Sequence, residues 1–354
     1  MATRNISRVY AFSISEGLAD KIQSLLKHSG LSIEVKEIPL QKYGDIVWDR
    51  KNLRNLTKAA LEDVGVEDIE YLIAHCPILL EVLSRPNNKL KWAQCSSAGV
   101  DAFFSDCNNL EISPDFIMTR TSGSEKGQMI AEYVVAHILA RERSLNLLAE
   151  KQKQAIYDKN VPNYRMLSDL SIGILGLGNI GLEVARFCKA LNMTVWAAVR
   201  DERLASGEPL SQHVDYYRPM SRLNELLQEC HYLACILPST PETKFLLSGD
   251  VLEPCKQKKT VLINTGRGDL IDDTSLINAI NQGWLGGAIL DVFNQEPLPS
   301  DSPLWTLPGV TITPHISCLS KNAASMVAKS YVDNVVRYLN GQQLLNQVDF
   351  SKGY

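Results

Sequence analysis

The stretch SIGILGLGNIGLEVARFCKALNMTVWAAV, residues 171–199, decides the fold class. An unbroken apolar run meets glycines at 176, 178 and 181, a mixed apolar and charged segment follows, and a second apolar run closes the unit. Strand, glycine turn, helix and strand in that order describe a βαβ unit able to hold a dinucleotide. Gly176 permits the turn, Gly178 lets the backbone approach a pyrophosphate, and Gly181 allows the helix to pack closely. The helix start then offers the N–H groups of Asn179 and Ile180 to that anion.

The pattern continues on both sides. Downstream, YLACILP (232–238), TVLINTG (260–266), GAILDVF (287–293) and VTITP (310–314) are nearly continuous apolar runs, as strands covered by helices on both faces should be. Upstream, VYAFSI (9–14), SIEVKEI (32–38), IEYLIAH (69–75) and LKWAQC (90–95) alternate with helix-like segments such as 17–28, so a second parallel sheet is expected. Residues 126–154 carry apolar residues at helical spacing with no proline and a single early glycine, and read as one long helix connecting two domains. The polar segment 201–222, with two prolines, reads as a surface loop, and 321–340 as a final helix ending at Asn340-Gly341.

Bulk properties exclude several classes. The 354 residues are 45% hydrophobic and 21% charged with a formal charge of −4, which suits a globular chain of two domains and gives no basic footprint for nucleic acid or anionic lipid. No window approaches the ~18 apolar residues of a membrane span, and the start lacks a signal peptide's apolar core, so a cytoplasmic location is expected. Eight cysteines without a CxxC pair and six histidines without an HxxxH pair point to reduced thiols and no metal site.

Cofactor choice is written about 20 residues beyond the glycines, where an acidic residue would hold the ribose of NAD. Here Val199 is followed by Arg200, Asp201, Glu202 and Arg203. Arg200 and Arg203 suit a 2′-phosphate, because guanidinium grips phosphate in a bidentate fork; Asp201 and Glu202 also suit a solvated charge run. The expectation is NADPH (NADP) in preference to NADH (NAD).

Two strand ends supply chemistry. In INTGRGDLID (263–272) an apolar run delivers Arg267 between Gly266 and Gly268, at the edge where α/β sheets bind ligands; the glycines would leave room for a planar carboxylate to meet the guanidinium. His315, in TPHIS (313–317), is a candidate proton donor, although a lone histidine after Thr-Pro also suits a loop.

Taken together, GLGNIG (176–181), INTGRGDLID, GAILDVFNQEPLP (287–299) and TPHIS resemble the D-isomer-specific 2-hydroxyacid dehydrogenase family, with support from AGVD (98–101), AEY (131–133) and PSTPET (238–243). The resemblance implies an α/β chain of two Rossmann-like doubly wound parallel-sheet domains with the active site in the cleft between them. It places a discontinuous substrate domain at 1–122 and 319–354 and the dinucleotide-binding domain at 123–318. Glu296 is implied as the partner of His315, completing a catalytic set with Arg267. Backbone N–H groups at Ser97, Ala98 and Gly99 are implied to hold the substrate carboxylate together with Arg267. Leu237, Pro238, Thr243, Thr265, Gly266, Asp291 and Ser317 are implied cofactor contacts, with Asp291 facing the crevice; Thr243 also suits a helix cap. A homodimer through the long helix is implied. His231 departs from the family, which usually carries an acidic residue there, and Arg120 and the 201–222 segment are unusual.

The expected function is reduction of a small 2-keto acid of the glyoxylate or hydroxypyruvate type, or its reverse on the 2-hydroxy acid, with no nucleic-acid or membrane partner. The alternative is a cofactor-sensing, corepressor-like protein on the same fold. Side-chain selectivity is expected to draw on loops near Trp48 and Ile78.

Overall fold

The computed structural model describes residues 5–13, 17–46, 50–109, 115–207, 210–351 and 353. The chain divides into two compact units, Met1–Ser122 with Ser320–Tyr354, and Gly123–Leu319.

The first unit holds β1 (Arg8–Ser13), α1 (Leu18–His28), β2 (Glu34–Pro39), α2 (Arg50–Val64), β3 (Tyr71–Ala74), α3 (Cys76–Leu83), β4 (Trp92–Cys95), α4 (Asp101–Asn109) and β5 (Ile117–Arg120). Its sheet runs β2-β1-β3-β4-β5, every pair parallel. The four-residue β5 escapes pattern reading because so short a run at a sheet edge carries little periodicity. The C-terminal helix (Ala323–Leu339) returns to this unit and buries Val327, Ala328, Tyr331, Val332 and Val335. Tyr331 and Tyr338 stack on Trp92 at centroid separations of 5.0 and 5.5 Å, while the indole N–H donates to Thr119 Oγ1 at 3.0 Å. Large aromatic area is thereby buried with the indole N–H satisfied, while the buried Tyr331 hydroxyl has no hydrogen-bond partner among the described residues. Ile78, near which a selectivity loop is expected, lies in α3 and is wholly buried in this core; Trp48 lies outside the described residues.

The second unit contains α5 (Ser124–Glu142), α6 (Leu145–Lys153), β6 (Ser171–Leu175), α7 (Asn179–Ala190), β7 (Thr194–Val199), α8 (Asp201–Ala205), β8 (Tyr216–Pro219), α9 (Leu223–Glu229), β9 (Tyr232–Cys235), β10 (Thr260–Asn264), α10 (Asp273–Asn281), β11 (Leu285–Leu290) and β12 (Val310–Ile312). The sheet order β12-β11-β10-β9-β6-β7-β8 reverses direction between β6 and β9. Such a switch point opens a crevice outside the carboxyl ends of the strands. Both sheets are parallel with helices between the strands, the expected fold class.

Two sequence expectations need correction here. The helix expected over 126–154 is broken: Ser144 adopts a left-handed backbone (φ 51°), separating α5 from α6. The cause lies two residues back, where Glu142 is buried and tied to Arg165 (3.1 and 2.5 Å) and to the Tyr232 hydroxyl (2.6 Å), pinning the end of α5 to the sheet. The segment 201–222 is not a simple loop. It contains α8 and the edge strand β8, whose Tyr216 stacks on Trp196 at 4.4 Å; being an edge strand, it keeps the polar composition that hid it. Residues 208–209 of that segment lie outside the described residues.

At the amino ends of the central strands β6 and β9, His231 Nδ1 accepts the Ser171 backbone N–H at 3.1 Å, the acceptor role a carboxylate could also fill. That bond requires Nδ1 to be unprotonated. Burial, followed by nearby Lys258 and Arg165, pushes the His231 imidazole below its ordinary value, in keeping with the neutral ring.

All eight cysteines are free and seven are buried. Among the described residues no group of His, Cys, Asp and Glu is arranged to hold a metal ion, and no helix is long and apolar enough to cross a membrane.

Candidate active site

Five neighbouring parallel strands, β12, β11, β10, β9 and β6, end on one edge of the second unit, and each hands the chain to a loop singled out by sequence. After β6 the glycines behave as their spacing suggests. Gly176 has φ +100°, and a Cβ there would stand 2.9 Å from the Ile236 carbonyl; a Cβ on Gly181 would stand 2.1 Å from Gly176 O. A side chain on Gly178 would meet nothing within 4 Å, and both Gly178 and Asn179 are exposed. Two glycines are thus demanded by packing, and the third leaves an open approach to the start of α7. This is a cradle that fits a pyrophosphate.

After β7, Arg200 is exposed and Arg203 donates from its guanidinium to Leu177 O, between the first two glycines, at 2.7 Å. Asp201 turns away, accepting from Ser221 Oγ at 2.6 Å and from Ser221 N at 3.3 Å. Asp201, one of the two carboxylates that complicate the sequence reading, is therefore committed to the turn that follows β8, 20 residues on. Arg203's attachment to the glycine loop had no sequence signal beyond its charge.

Asn264, buried at the end of β10, donates from Nδ2 to Arg267 O (2.9 Å) and accepts the Gly266 N–H (3.2 Å), so one amide braces the turn that presents Arg267. The glycines flanking Arg267 have a packing role that the sequence reading does not foresee. A Cβ on Gly266 would lie 2.8 Å from Leu237 O, and one on Gly268 would lie 1.9 Å from the Phe293 carbonyl carbon. They let the strand ends close on one another. Arg267 itself is half-buried, one guanidinium nitrogen donating to Gly266 O at 2.6 Å. Thr265 is buried, and its hydroxyl has no hydrogen-bond partner among the described residues.

Following β9, half-buried Leu237 and Pro238 lead into a turn closed by Thr243. Its hydroxyl donates to Pro238 O at 2.6 Å and accepts the Thr240 N–H at 2.8 Å. Its donor is spent on the turn.

Asp291, immediately after β11, departs most from expectation. It does not face the crevice but is wholly buried. One carboxylate oxygen accepts from Thr313 Oγ1 (2.6 Å) and Ile316 N (2.8 Å), the other from Ser317 N (2.9 Å). Ser317 is likewise buried, and the Tyr133 hydroxyl on α5 completes the chain by binding Thr313 Oγ1 at 2.6 Å. A buried carboxylate satisfied by three donors is an anchor, and what it anchors is the loop carrying His315. Tyr133 and Thr313 lie within AEY and TPHIS, yet this buttressing role is not legible from either motif.

His315 takes a left-handed backbone, φ 55°, a conformation few non-glycine residues adopt. Its own N–H donates to Asp291 O at 2.9 Å. On the side chain, Nδ1 lies 2.8 Å from Glu296 Oε2, while Glu296 Oε1 accepts the Phe293 N–H at 2.9 Å. The carboxylate is held at both oxygens, so Nδ1 carries the proton and Nε2 is the nitrogen presented outward. The hydrogen bond to Glu296 raises His315 above its ordinary value, against the opposing effects of burial and the nearby Arg267 charge. Burial alone would raise Glu296, but the bond to His315, its positive charge and the Phe293 N–H outweigh this and hold the carboxyl below its ordinary value. Such an arrangement can deliver a proton near neutral pH beside a guanidinium able to hold a carboxylate.

In the other unit, Ser97, Ala98 and Gly99 form a half-buried turn beyond β4, where Ser97 Oγ donates to Gly99 O at 3.1 Å.

Comparison with known proteins identifies the family of the chain. Residues 135–317 match the family model for the D-isomer specific 2-hydroxyacid dehydrogenase NAD-binding domain. A family member from Aeromonas salmonicida superposes with a TM-score of 0.78 at 29% identity, covering 98% of this chain and all of that one. Another from Xanthobacter autotrophicus, solved with NADPH and MES, gives 0.74 at 26% over 98% of this chain and all of that one. An NADPH-dependent glyoxylate/hydroxypyruvate reductase from Sinorhizobium meliloti, with NADP and sulfate, shares the fold (0.76) at 22% identity, again over 98% of this chain and the whole of the other. On the matched domain, the glycine cradle and the strand-end residues together, the chain belongs to the D-isomer specific 2-hydroxyacid dehydrogenase family and is an NAD(P)-dependent oxidoreductase.

Proposed function

We propose that the enzyme reduces small 2-keto acids of the glyoxylate and hydroxypyruvate kind to D-2-hydroxy acids, with NADPH preferred. The observation that carries this reading is the Glu296–His315 pair at 2.8 Å, with the charge of Arg267 acting on both partners. Arg267 is the proposed anchor for the substrate carboxylate. His315, kept protonated by Glu296, donates from Nε2 to the carbonyl oxygen; in the reverse direction its neutral ring takes the proton back. Gly176, Gly178, Asn179, Ile180 and Gly181 would cradle the pyrophosphate, with Leu237, Pro238, Thr243, Thr265 and Gly266 along the dinucleotide and Asp291 and Ser317 shaping the loop next to it. When bound, the reduced nicotinamide supplies the hydride. In the first unit, the N–H groups of the Ser97–Gly99 turn are proposed carboxylate donors. The second unit is accordingly assigned to the dinucleotide and the first to the substrate.

The direct test follows oxidation of NADPH with glyoxylate, hydroxypyruvate and bulkier 2-keto acids. Saturable turnover is expected with the small ones. Tight cofactor binding with no turnover on any of them would replace this reading with that of a cofactor-sensing protein.

Exposed Arg200 after β7 and Arg203, tied to the glycine loop through Leu177 O, support the NADPH preference. Replacing Arg200 by Asp is expected to weaken NADPH by about tenfold or more relative to NADH, since a charge-assisted phosphate contact becomes a repulsion. Titration of both cofactors by fluorescence would show it, and equal losses would remove the assignment.

A homodimer is proposed through α6 and the segment after it. Helix α6 buries none of its residues, and Leu145, Leu148, Ile156, Tyr157 and Met166 stand exposed nearby, Tyr157 at 91%. Apolar area of that extent on α6 and the segment after it supports a second copy as its cover. Light scattering should give a dimer for the wild type and a monomer for Leu148→Glu combined with Tyr157→Glu; a monomeric wild type would contradict it. The free cysteines favour a reducing compartment, and a cytoplasmic location is proposed on that ground.

A further inference from the structure

We infer that Arg120 is a positioning residue that aims the backbone N–H groups of Ala98 and Gly99 at a substrate carboxylate. The inference rests on the proposed reading of this turn as a carboxylate site. It starts from two carbonyls. Ser97 O accepts the Thr121 N–H at 3.2 Å, and Ala98 O accepts from the Arg120 guanidinium at 3.0 Å. Both donors come from the end of β5, so both carbonyls point toward it. Among the described residues neither peptide is cis. In a planar trans peptide the C=O of one residue and the N–H of the next point in opposite directions. The N–H groups of Ala98 and Gly99 are therefore both turned away from β5, side by side. Two successive N–H groups aimed the same way form a concavity suited to an anion.

The base from which Arg120 reaches is itself fixed. Its backbone pairs in register with Cys95, its N–H donates to Asn346 O at 3.1 Å, and Asn346 Nδ2 donates to Ser122 O at 2.5 Å. Thr121 is held a second time, its N–H and Oγ1 both donating to Cys95 O at 2.9 Å. On the far side of the turn, Ser97 Oγ donates to Gly99 O, which holds the next peptide in its turn. With backbone on one flank and a hydroxyl on the other, the guanidinium is, among the described residues, the one side-chain tie on the Ala98–Gly99 peptide plane. Removing it frees that plane to rotate, and the paired N–H groups lose their common direction before anything in the sheet is disturbed.

The test uses the full chain loaded with NADPH and oxamate, an unreactive compound carrying a carboxylate beside a carbonyl, with binding measured by calorimetry. Arg120→Met is expected to weaken oxamate by about tenfold to a hundredfold, the loss of one charge-assisted hydrogen bond. KM for glyoxylate should rise by a similar factor while kcat, NADPH affinity and Tm stay near wild type. Arg120→Lys, which can still reach one carbonyl, should recover most of the loss; the shorter Arg120→Gln should recover little and serves if the methionine variant does not fold. Oxamate binding unchanged in Arg120→Met or Arg120→Gln, in a wild type that reduces glyoxylate, would overturn this inference alone. Parallel losses of Tm and NADPH affinity would overturn it in favour of a general structural role. A wild type that binds no oxamate and reduces no 2-keto acid would overturn the functional reading and this one with it.

Discussion

Replacing His315 by asparagine is expected to lower the turnover of 2-keto acid reduction by about a hundredfold to ten-thousandfold, the usual contribution of a positioned general acid. Asparagine is chosen because it tolerates the left-handed backbone that His315 adopts and leaves the donation to Asp291 O in place. The loop should therefore persist, and with it dinucleotide affinity. Steady-state kinetics beside a cofactor titration decide the matter: retention of most activity would mean that the proton comes from another group.

The pH profile adds a sign. His315 is raised from 6.5 by its bond to Glu296, so the alkaline limb of reduction should fall above that value, while oxidation of the 2-hydroxy acid rises over the same range. Glu296→Gln removes the raising partner and should move the limb to lower pH. Stability follows the same linkage. The contribution of His315, whose folded value is raised, is present below 6.5 and lost as pH climbs through the raised value. That of Glu296, whose folded value is lowered, is present above 4.5 and lost as pH falls through the lowered one. The pair therefore supports the fold most fully between those two values.

Arg267→Met is the second large effect expected. A guanidinium holding a carboxylate by two charge-assisted bonds contributes enough that kcat/KM should drop by about a hundredfold to a thousandfold. Lysine should restore only part, being a point charge without the fork. A second readout separates this from simple loss of binding. The Arg267 charge lowers both His315 and Glu296, so its removal should shift the alkaline limb upward, opposite to the shift from Glu296→Gln. Two variants moving one limb in opposite directions are hard to reconcile with general damage. Equal shifts, or none, would separate Arg267 from the His315 site.

How the site assembles explains what could be read in advance. Strands β6, β9, β10 and β11 are legible because each is buried on both faces and so is apolar without interruption, whereas β5 and β8 are short edge strands whose composition answers to solvent as much as to the sheet. The glycines of 176–181 are legible because backbone geometry at each position restricts the residue type locally. Those beside Arg267 were legible as glycines but not for their reason, which is contact with Leu237 and Phe293, distant in sequence.

The sequence alone determined the alternation of strand and helix, the glycine cradle and the identity of the charged residues at the strand ends, since these follow from periodicity and from the conformations each residue type permits. Tertiary structure decided the rest: that Glu296 meets His315 across 19 residues, that Asp291 turns inward to hold the loop, that Arg203 and Arg120 each take a backbone carbonyl, and that the long helix breaks at Ser144. Hydrogen bonds and charge interactions depend on separation in space over a few ångströms. That separation is set only when the strands have docked side by side.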